Sequence, residues 1–301
     1  AGSGSTIGGV VATNASGPSR LRHGSARDLV IGARVATTAG TLARSGGKVV
    51  KNVTGYDLNK LYIGSLGSLG LITELTFKVQ PLPEAEVTLL ARFPDRASAC
   101  RCAYRVLRSP LTPTALEVSC LDDGLGIGLH VHVAGFRKPV DRMVGDLAGF
   151  ARDEGALGTR VLDDAGAAAA WAALRDGPSP SSEGARLKIA VPIGQVIWAA
   201  GAAEAAAERH GLRATVIAGA GTGVVRVGLE GEGDYLAAIR RLRAEAAERY
   251  GWVQVERCPL RLKSELDLLG EPGDSQPIMR RLKEQLDPGA IMSPGRFLGR
   301  L

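Results

Sequence analysis

From Glu86 to Glu256 the chain runs twice through the same order of hydrophobic periodicities: strand, helix, strand, strand, helix, strand. Alternating apolar residues fit a strand and an i, i+3, i+4 stripe fits a helix, so this order leaves few architectures open. The first pass predicts strands over 86–93, 113–120, 126–134 and 158–162, and helices over 95–108 and 138–154. The second predicts strands over 186–191, 213–218, 223–229 and 252–256, and helices over 193–210 and 233–250. An alanine-rich helix from Ala165 to Arg175 joins them, and a last helix over 278–286 is stopped by Asp287-Pro288-Gly289. The passes share pattern and almost no sequence; they imply an antiparallel sheet made by duplication, with its helices on one face.

Residues 1–83 have another texture. They are dense in Gly, Ser, Thr and Asn, with short apolar or β-branched runs at Val10-Val11, Leu29-Val30-Ile31 and Leu71-Ile72-Thr73, which read as short strands joined by glycine turns. Pro81-Leu82-Pro83 marks the boundary, because two prolines in three residues continue neither a ladder nor a helix. The expected organisation is therefore a site-bearing segment over 1–83, a sheet domain over 84–258 and a closing segment over 259–301.

At 301 residues, 45% of them hydrophobic, the chain can hold a core without disulfide or metal staples. Its four cysteines, Cys100, Cys102, Cys120 and Cys258, lack the spacing of a zinc or cluster site and read as reduced thiols in a cytoplasmic setting. The net charge of +6 comes from scattered basic residues, and with aromatics at 4% there is no aromatic-basic alternation of the kind that binds nucleic acid. Such a mild positive field suits an anionic cofactor or a small carboxylate. The longest apolar run, Val196 to Ala207, carries Glu204 and is shorter than the roughly 20 residues of a membrane span. Since the first residue is Ala1 and no signal peptide follows it, an amino-terminal part is expected to be processed or missing.

The sharpest motif is Thr6-Ile7-Gly8-Gly9-Val10-Val11-Ala12-Thr13-Asn14-Ala15-Ser16-Gly17. Adjacent glycines let a backbone approach a flat or phosphorylated ligand, and bare N–H groups can face an anion. By spacing alone, a glycine turn in an ordinary sheet fits as well. A dinucleotide fold does not: Gly2-x-Gly4 lacks its third glycine and a preceding strand, and Gly64-x-x-Gly67-x-x-Gly70 has the wrong spacing. His130 and His132 share one face of a strand at i, i+2, as metal ligands could, yet no carboxylate motif accompanies them; they read as solvent-facing, and no metal is assigned. Lys51 and Asn52 could reach a ligand or belong to a buried turn, and Arg22 and His23 could touch phosphate or lie at the surface. Tyr56 and Asp57 read as packing against and capping the helix that follows.

A second set of motifs makes the pattern specific: Gly24-Ser25-Ala26-Arg27-Asp28-Leu29-Val30-Ile31-Gly32, Lys51-Asn52-x-x-Gly55-Tyr56-Asp57-Leu58, and Gly64-Ser65-x-Gly67-x-Leu69-Gly70-x-Ile72-Thr73-Glu74. With Thr-Ile-Gly-Gly, Ala-Thr-Asn and the closing Leu286-Asp287-Pro288-Gly289-Ala290-Ile291-Met292-Ser293-Pro294-Gly295-Arg296-Phe297, the chain resembles the FAD-binding oxidases of the para-cresol methylhydroxylase and vanillyl-alcohol oxidase type, and within them the glycolate oxidase FAD-binding subunits. The resemblance implies an α+β fold: part of a PCMH-type FAD-binding domain, a ferredoxin-like cap of duplicated β-α-β-β-α-β units, and a return of the chain to the flavin domain. It implies FAD as cofactor, with Thr6, Ile7, Gly8, Gly9, Ala12, Thr13, Asn14 and Gly17 lining it, Gly24, Asp28 and Ile31 flanking it, and the backbone at Ile72 pairing with its adenine end.

Two departures qualify what is implied. The family's upstream glycine-rich pyrophosphate loop is absent, so the chain alone is expected to hold FAD weakly or not at all, lacking a cluster of N–H donors. The histidine motifs of the group's catalytic subunits are also absent; Glu256-Arg257-Cys258-Pro259-Leu260 stands at the late position, with no histidine to act as base. Catalytic residues therefore stay unassigned. The implied function is an FAD-dependent oxidoreductase subunit that works with a catalytic flavoprotein and an iron-sulfur subunit on a small 2-hydroxy acid, glycolate or D-lactate, in the cytoplasm or peripheral to the inner membrane through those partners. The alternatives are a free-standing FAD-linked dehydrogenase and a truncated, non-catalytic scaffold.

Overall fold

A computed structural model describes residues 4–49, 55–120 and 126–301. Lys51 and Asn52 lie outside the described residues. The chain forms two compact units, one of Ala1–Gly17, His23–Pro81 and Glu271–Leu301, the other of Pro18–Arg22 and Leu82–Gly270.

The first unit holds helix α1 (Ile7–Thr13), and the chain then makes two single-turn helices, α2 (Arg20–His23) and α3 (Ala26–Leu29). Strands β1 (Val30–Ala36) and β2 (Leu42–Gly46), helix α4 (Asn59–Tyr62) and strand β3 (Leu71–Phe77) follow. The sheet is antiparallel in the order β2-β1-β3, with Ala33 opposite both Ser45 and Leu75. Its core is small: Val11, Ala26, Val30 and Ile63, with Ile72, Leu75 and Phe77 against them. One expectation fails here. Val10-Val11 is helical, not a strand, because Thr6 caps the helix by accepting the Gly9 N–H at 3.1 Å and Asn14 ends it in the left-handed region at φ 48°.

In the second unit the strands are β4 (Ala85–Phe93), β5 (Ala115–Ser119), β6 (Ile127–Gly135) and β7 (Gly158–Leu162), then β8 (Ala185–Ala190), β9 (Arg213–Gly219), β10 (Val224–Glu230) and β11 (Trp252–Arg257). Helices α5 (Arg96–Arg108) and α6 (Arg137–Asp153) belong to the first pass, α7 (Asp164–Asp176) is the joint, and α8 (Val196–Arg209) and α9 (Tyr235–Ala247) belong to the second. All eight strands form one antiparallel sheet, β11-β8-β10-β9-β5-β6-β4-β7. Numbered within its own pass, each half has the order 4-1-3-2, and the halves join where β5 pairs β9.

Alternation along each strand sends one set of side chains to a single continuous core, Leu89, Leu116, Leu129, Leu187, Val227 and Val255 among them. Helices cover that face. Ala199, Ala200, Ala203, Ala206 and Ala207 of α8 are all buried, since small side chains let this helix lie close to its neighbours. Asp95 and Asp234 set the starts of α5 and α9 by accepting the N–H groups of Ser98 and Ala237. After β11 the chain stays in this unit through helix α10 (Leu260–Lys263), so the return expected at 259 comes at Glu271. The reason is packing: Leu262 and Leu266 join the core, and the Val255 N–H donates to the Leu268 carbonyl.

Helix α11 (Gln276–Leu286) belongs to the first unit. Its buried Lys283 donates to Asp287 Oδ2 at 2.5 Å and to the carbonyls of Ser68 and Met292, both at 2.8 Å. Asp287 also accepts the N–H groups of Ile291 and Met292. The closing signature thus ties three stretches of chain together around one ion pair.

Candidate functional site

The glycine motif folds as α1, and helical geometry sorts its residues. At about 100° per residue, Thr6, Gly9 and Thr13 fall on one stripe, and all three are exposed, with Ile7 beside them. Gly8 and Val11 point the other way: a Cβ on Gly8 would stand 3.8 Å from the Ile72 carbonyl of β3. The backbone from Val10 onward is committed to the helix, beginning with the Val10 N–H bonded to the Thr6 carbonyl. Bare amides across the whole segment, as a nest would need, are therefore not what this sequence makes; only the first turn leaves N–H groups without an intrahelical acceptor.

At the other end of α1 the carbonyls of Val11 and Ala12 accept the N–H groups of Gly64 and Leu66, which joins the two glycine-rich motifs. Gly64 takes φ +84°, and a Cβ there would press Asn14 Cβ at 3.4 Å. Among the described residues, Asn14 Oδ1 is buried without a hydrogen-bond partner. A buried acceptor left open beside a stripe of two threonines and a glycine is a reasonable fit to a ligand carrying N–H or O–H donors, as a flavin or its ribityl chain does.

Among the flanking residues, Gly24 has φ +75° and lies so close to Asp28 that a Cβ would fall 2.6 Å from Oδ2. Asp28 turns its carboxylate back to accept from the Ser25 N–H and hydroxyl, forming the capping box of α3. Ile31 lends its carbonyl to the Gly47 N–H, and Ile72 sits half-buried on β3 against the small core. Gly17 closes the first stretch of this unit. His23 Nδ1 lies 3.1 Å from Gln80 Oε1, and Arg22 is exposed. Tyr56 does not pack: it is 92% exposed, while Asp57 pairs with Lys60 at 3.5 Å.

The second unit corrects another expectation. His130 is buried and His132 half-buried rather than solvent-facing, because α7 crosses that face of the sheet. Trp171 of α7 donates to Thr88 Oγ1 at 2.8 Å and meets both imidazoles edge-on, with centroids 6.3 and 5.9 Å away. His130 Nε2 lies 3.1 Å from Ser119 Oγ, and His132 bonds Thr114. Among the described residues no group of three His, Cys, Asp or Glu is placed to hold a metal. The four cysteines are free; burial pushes Cys100 up to about 11 and Cys102 up to about 12, so both stay protonated and unreactive.

Beside His130 across the ladder stands Glu117, which the sequence reading does not single out although a carboxylate inside so apolar a strand is a signal in itself. It is 1% exposed, and burial pushes its carboxyl up to about 7 against the opposing pull of Arg226.

Comparison with known proteins bears on the first unit most directly. Residues 1–46 match the family described as FAD binding domain, a stretch that holds every candidate cofactor residue except Ile72. The chain is 51% identical over 84 residues to the glycolate oxidase subunit GlcE of Escherichia coli (strain K12), covering 28% of this chain and 24% of that protein. It is 41% identical over 113 residues to the glycolate oxidase subunit GlcD of Bacillus subtilis (strain 168), covering 38% and 24%. The fold is that of an alkyldihydroxyacetonephosphate synthase structure, with TM-score 0.67 at 17% identity over 96% of this chain and 58% of that one. The matched stretches of the chain thus span about a quarter of the length of the curated relatives named here. It resembles the FAD-linked oxidases in sequence at its amino-terminal part and in fold throughout, and FAD is the cofactor its amino-terminal family binds.

Proposed function

We propose that the protein is an FAD-dependent oxidoreductase component that oxidises a small 2-hydroxy acid, glycolate or D-lactate, to the 2-oxo acid as part of a complex with a catalytic flavoprotein and an iron-sulfur subunit. The observation that carries this reading is the coincidence of the FAD-binding family match with the exposed Thr6, Gly9 and Thr13 stripe and the open Asn14 acceptor. The names of the two glycolate oxidase relatives support the substrate class and the subunit character.

In this reading Thr6 and Thr13 offer hydroxyls to the cofactor, Gly9 keeps the space above the helix clear, and Asn14 accepts a donor that nothing among the described residues supplies. When bound, FAD supplies the hydride acceptor. The residues of this chain bind and orient it; a partner is invoked for the proton because Glu256-Arg257-Cys258-Pro259-Leu260 carries no histidine to act as base.

The test is purification of the full-length protein from its native host, followed by its visible flavin absorbance and by anaerobic addition of glycolate or D-lactate. Bound flavin that bleaches with either acid, together with co-purification of a second flavoprotein, is the expected result. A colourless protein that takes up no FAD would sink the reading; bleaching by an isolated, single-component protein would replace the complex with a free-standing dehydrogenase.

A further inference from the structure

Helix α5 buries Ala99, Cys100, Cys102, Ala103 and Val106. On its opposite side Arg101, Arg105 and Arg108 fall on one stripe at i, i+4 and i+7. Helix α6 packs alongside, and between the two runs an open groove of about 570 Å³, with the three arginines, Tyr104, Phe150 and Glu154 in its walls. The Arg105 guanidinium sits 4.5 Å from the centre of the Phe150 ring, and the Tyr104 hydroxyl is tied to the Ile193 carbonyl at 2.9 Å. The aromatic floor is therefore held in place, and the cations stand above it.

Some of that charge is already answered. Asp153 and Glu154, where α6 ends, pair with Arg105 at 2.8 and 3.6 Å, and Glu154 pairs with Arg101 at 3.4 Å. All four side chains are partly exposed, and ion pairs of that kind hold so weakly that a better-placed acid can replace them. Arg108 lies two turns beyond Arg101 and is exposed. Among the described residues it has no hydrogen bond or ion pair.

An observation independent of charge comes from α6. Gly145 and Gly149 stand one turn apart in the interior of this 17-residue helix, where glycine is a poor helix former. A Cβ on either would meet nothing within 4 Å. No contact among the described residues therefore asks for glycine here, and the space above both is open. Bare backbone of this kind lets another chain come close.

We propose that the groove between α5 and α6 is a docking surface for an acidic helix of a partner protein, its carboxylates spaced i, i+4 and i+7 to meet the arginine stripe and its backbone lying close over Gly145 and Gly149. Charge selects the partner: three forked donors suit carboxylates and repel a basic chain. The open shape suits a chain segment better than a small molecule, which a binding site encloses on most sides. Every residue of this surface belongs to the second unit and every cofactor candidate to the first, so the assignment does not rest on the function proposed above.

The test is fluorescence anisotropy of a labelled, alanine-based helical peptide of about 18 residues, with glutamates at i, i+4 and i+7, titrated with the full-length protein. Saturable binding that weakens with added salt is expected. It should fall about tenfold or more in Arg108→Glu, and equally in Gly149→Leu, whose side chain fills the space a partner would use. Gly149→Leu should leave the unfolding midpoint unchanged or raised, since leucine is the better helix former. Arg44→Glu, an exposed arginine of the first unit, should leave binding as it was. The assignment is overturned by absence of binding, by full affinity in both groove variants, by equal binding of the lysine counterpart of the peptide, or by a lowered midpoint in Gly149→Leu. Tighter binding to vesicles of phosphatidylserine and phosphatidylcholine than to the peptide would overturn it in favour of a membrane surface, and a dimer split by Gly149→Leu in favour of a second copy of this chain.

Discussion

Each unit buries a carboxylate, and the two keep opposite company. Asp287, 2% exposed, receives the Lys283 ammonium and two backbone N–H groups. Burial would raise its pKa, but Lys283 and the N–H groups of Met292 and Ile291 outweigh it and hold the group below the ordinary carboxylate range. Glu117, 1% exposed, has one oxygen with no hydrogen bond among the described residues and is pushed up to about 7. The difference teaches that burial alone says little about a carboxylate; what its neighbours donate decides whether it stays charged. In the first unit the charge fastens the returning chain to the Ser68 loop. In the second, burial pushes the carboxyl up although His130 faces it across the ladder and Arg226 pulls the other way.

The largest expected effect breaks the first arrangement. Lys283→Met leaves Asp287 buried without its cation and should destabilise the first unit by about 3–5 kcal/mol in chemical denaturation; a loss below about 1 kcal/mol would mean that the backbone donors suffice. The second arrangement is read through pH. Folded Glu117 keeps its proton to about 7, whereas the unfolded chain releases it near 4.5. The folded state therefore binds more protons in between, and its stability should fall by roughly 3 kcal/mol as pH rises through that window. Glu117→Gln should flatten this slope, and an unchanged slope would remove Glu117 as its source. Asp287 has the reverse sign: with a lowered folded pKa, its contribution is complete above the unfolded value of 3.8 and is lost as pH falls through the folded one.

Smaller effects sharpen the contrast. Trp171→Phe removes the bond to Thr88 and should cost the second unit about 1 kcal/mol, a loss measurable as a lowered denaturation midpoint. Leu71→Ser, at a side chain 63% exposed on β3, should shift stability by less than about 0.5 kcal/mol. A large loss there would show that the sparse core of the first unit extends to this residue.

Periodicity made the second unit legible. Most of its strands carry their core residues on one phase, and α5, α7 and α9 each start on an aspartate that accepts a first-turn N–H, so local chemistry and the final sheet agree. The helix α1 escaped because Gly8, Gly9 and the valines are poor helix formers; the signal that could have found it is Thr6 at the capping position together with Asn14 at the end. The fate of His130 and His132 was not legible either. A strand's alternation gives the face on which a side chain lies, but only the path of α7 decides whether that face meets water. In the closing signature the sequence reading saw a helix stop in Asp287-Pro288-Gly289 and missed the Lys283–Asp287 pair one helical turn apart.

The junction between β5 and β9 rests on three facing residue pairs, Glu117 with Gly219, Val118 with Ala218 and Ser119 with Ile217. A single pass standing alone would present one of these strands as a bare margin, and bare margins recruit other molecules. By doubling the unit within one polypeptide, the chain carries its own dimer mate. The joint is then made at an effective concentration no second molecule could match, and two sticky borders are spent on each other instead of on aggregation.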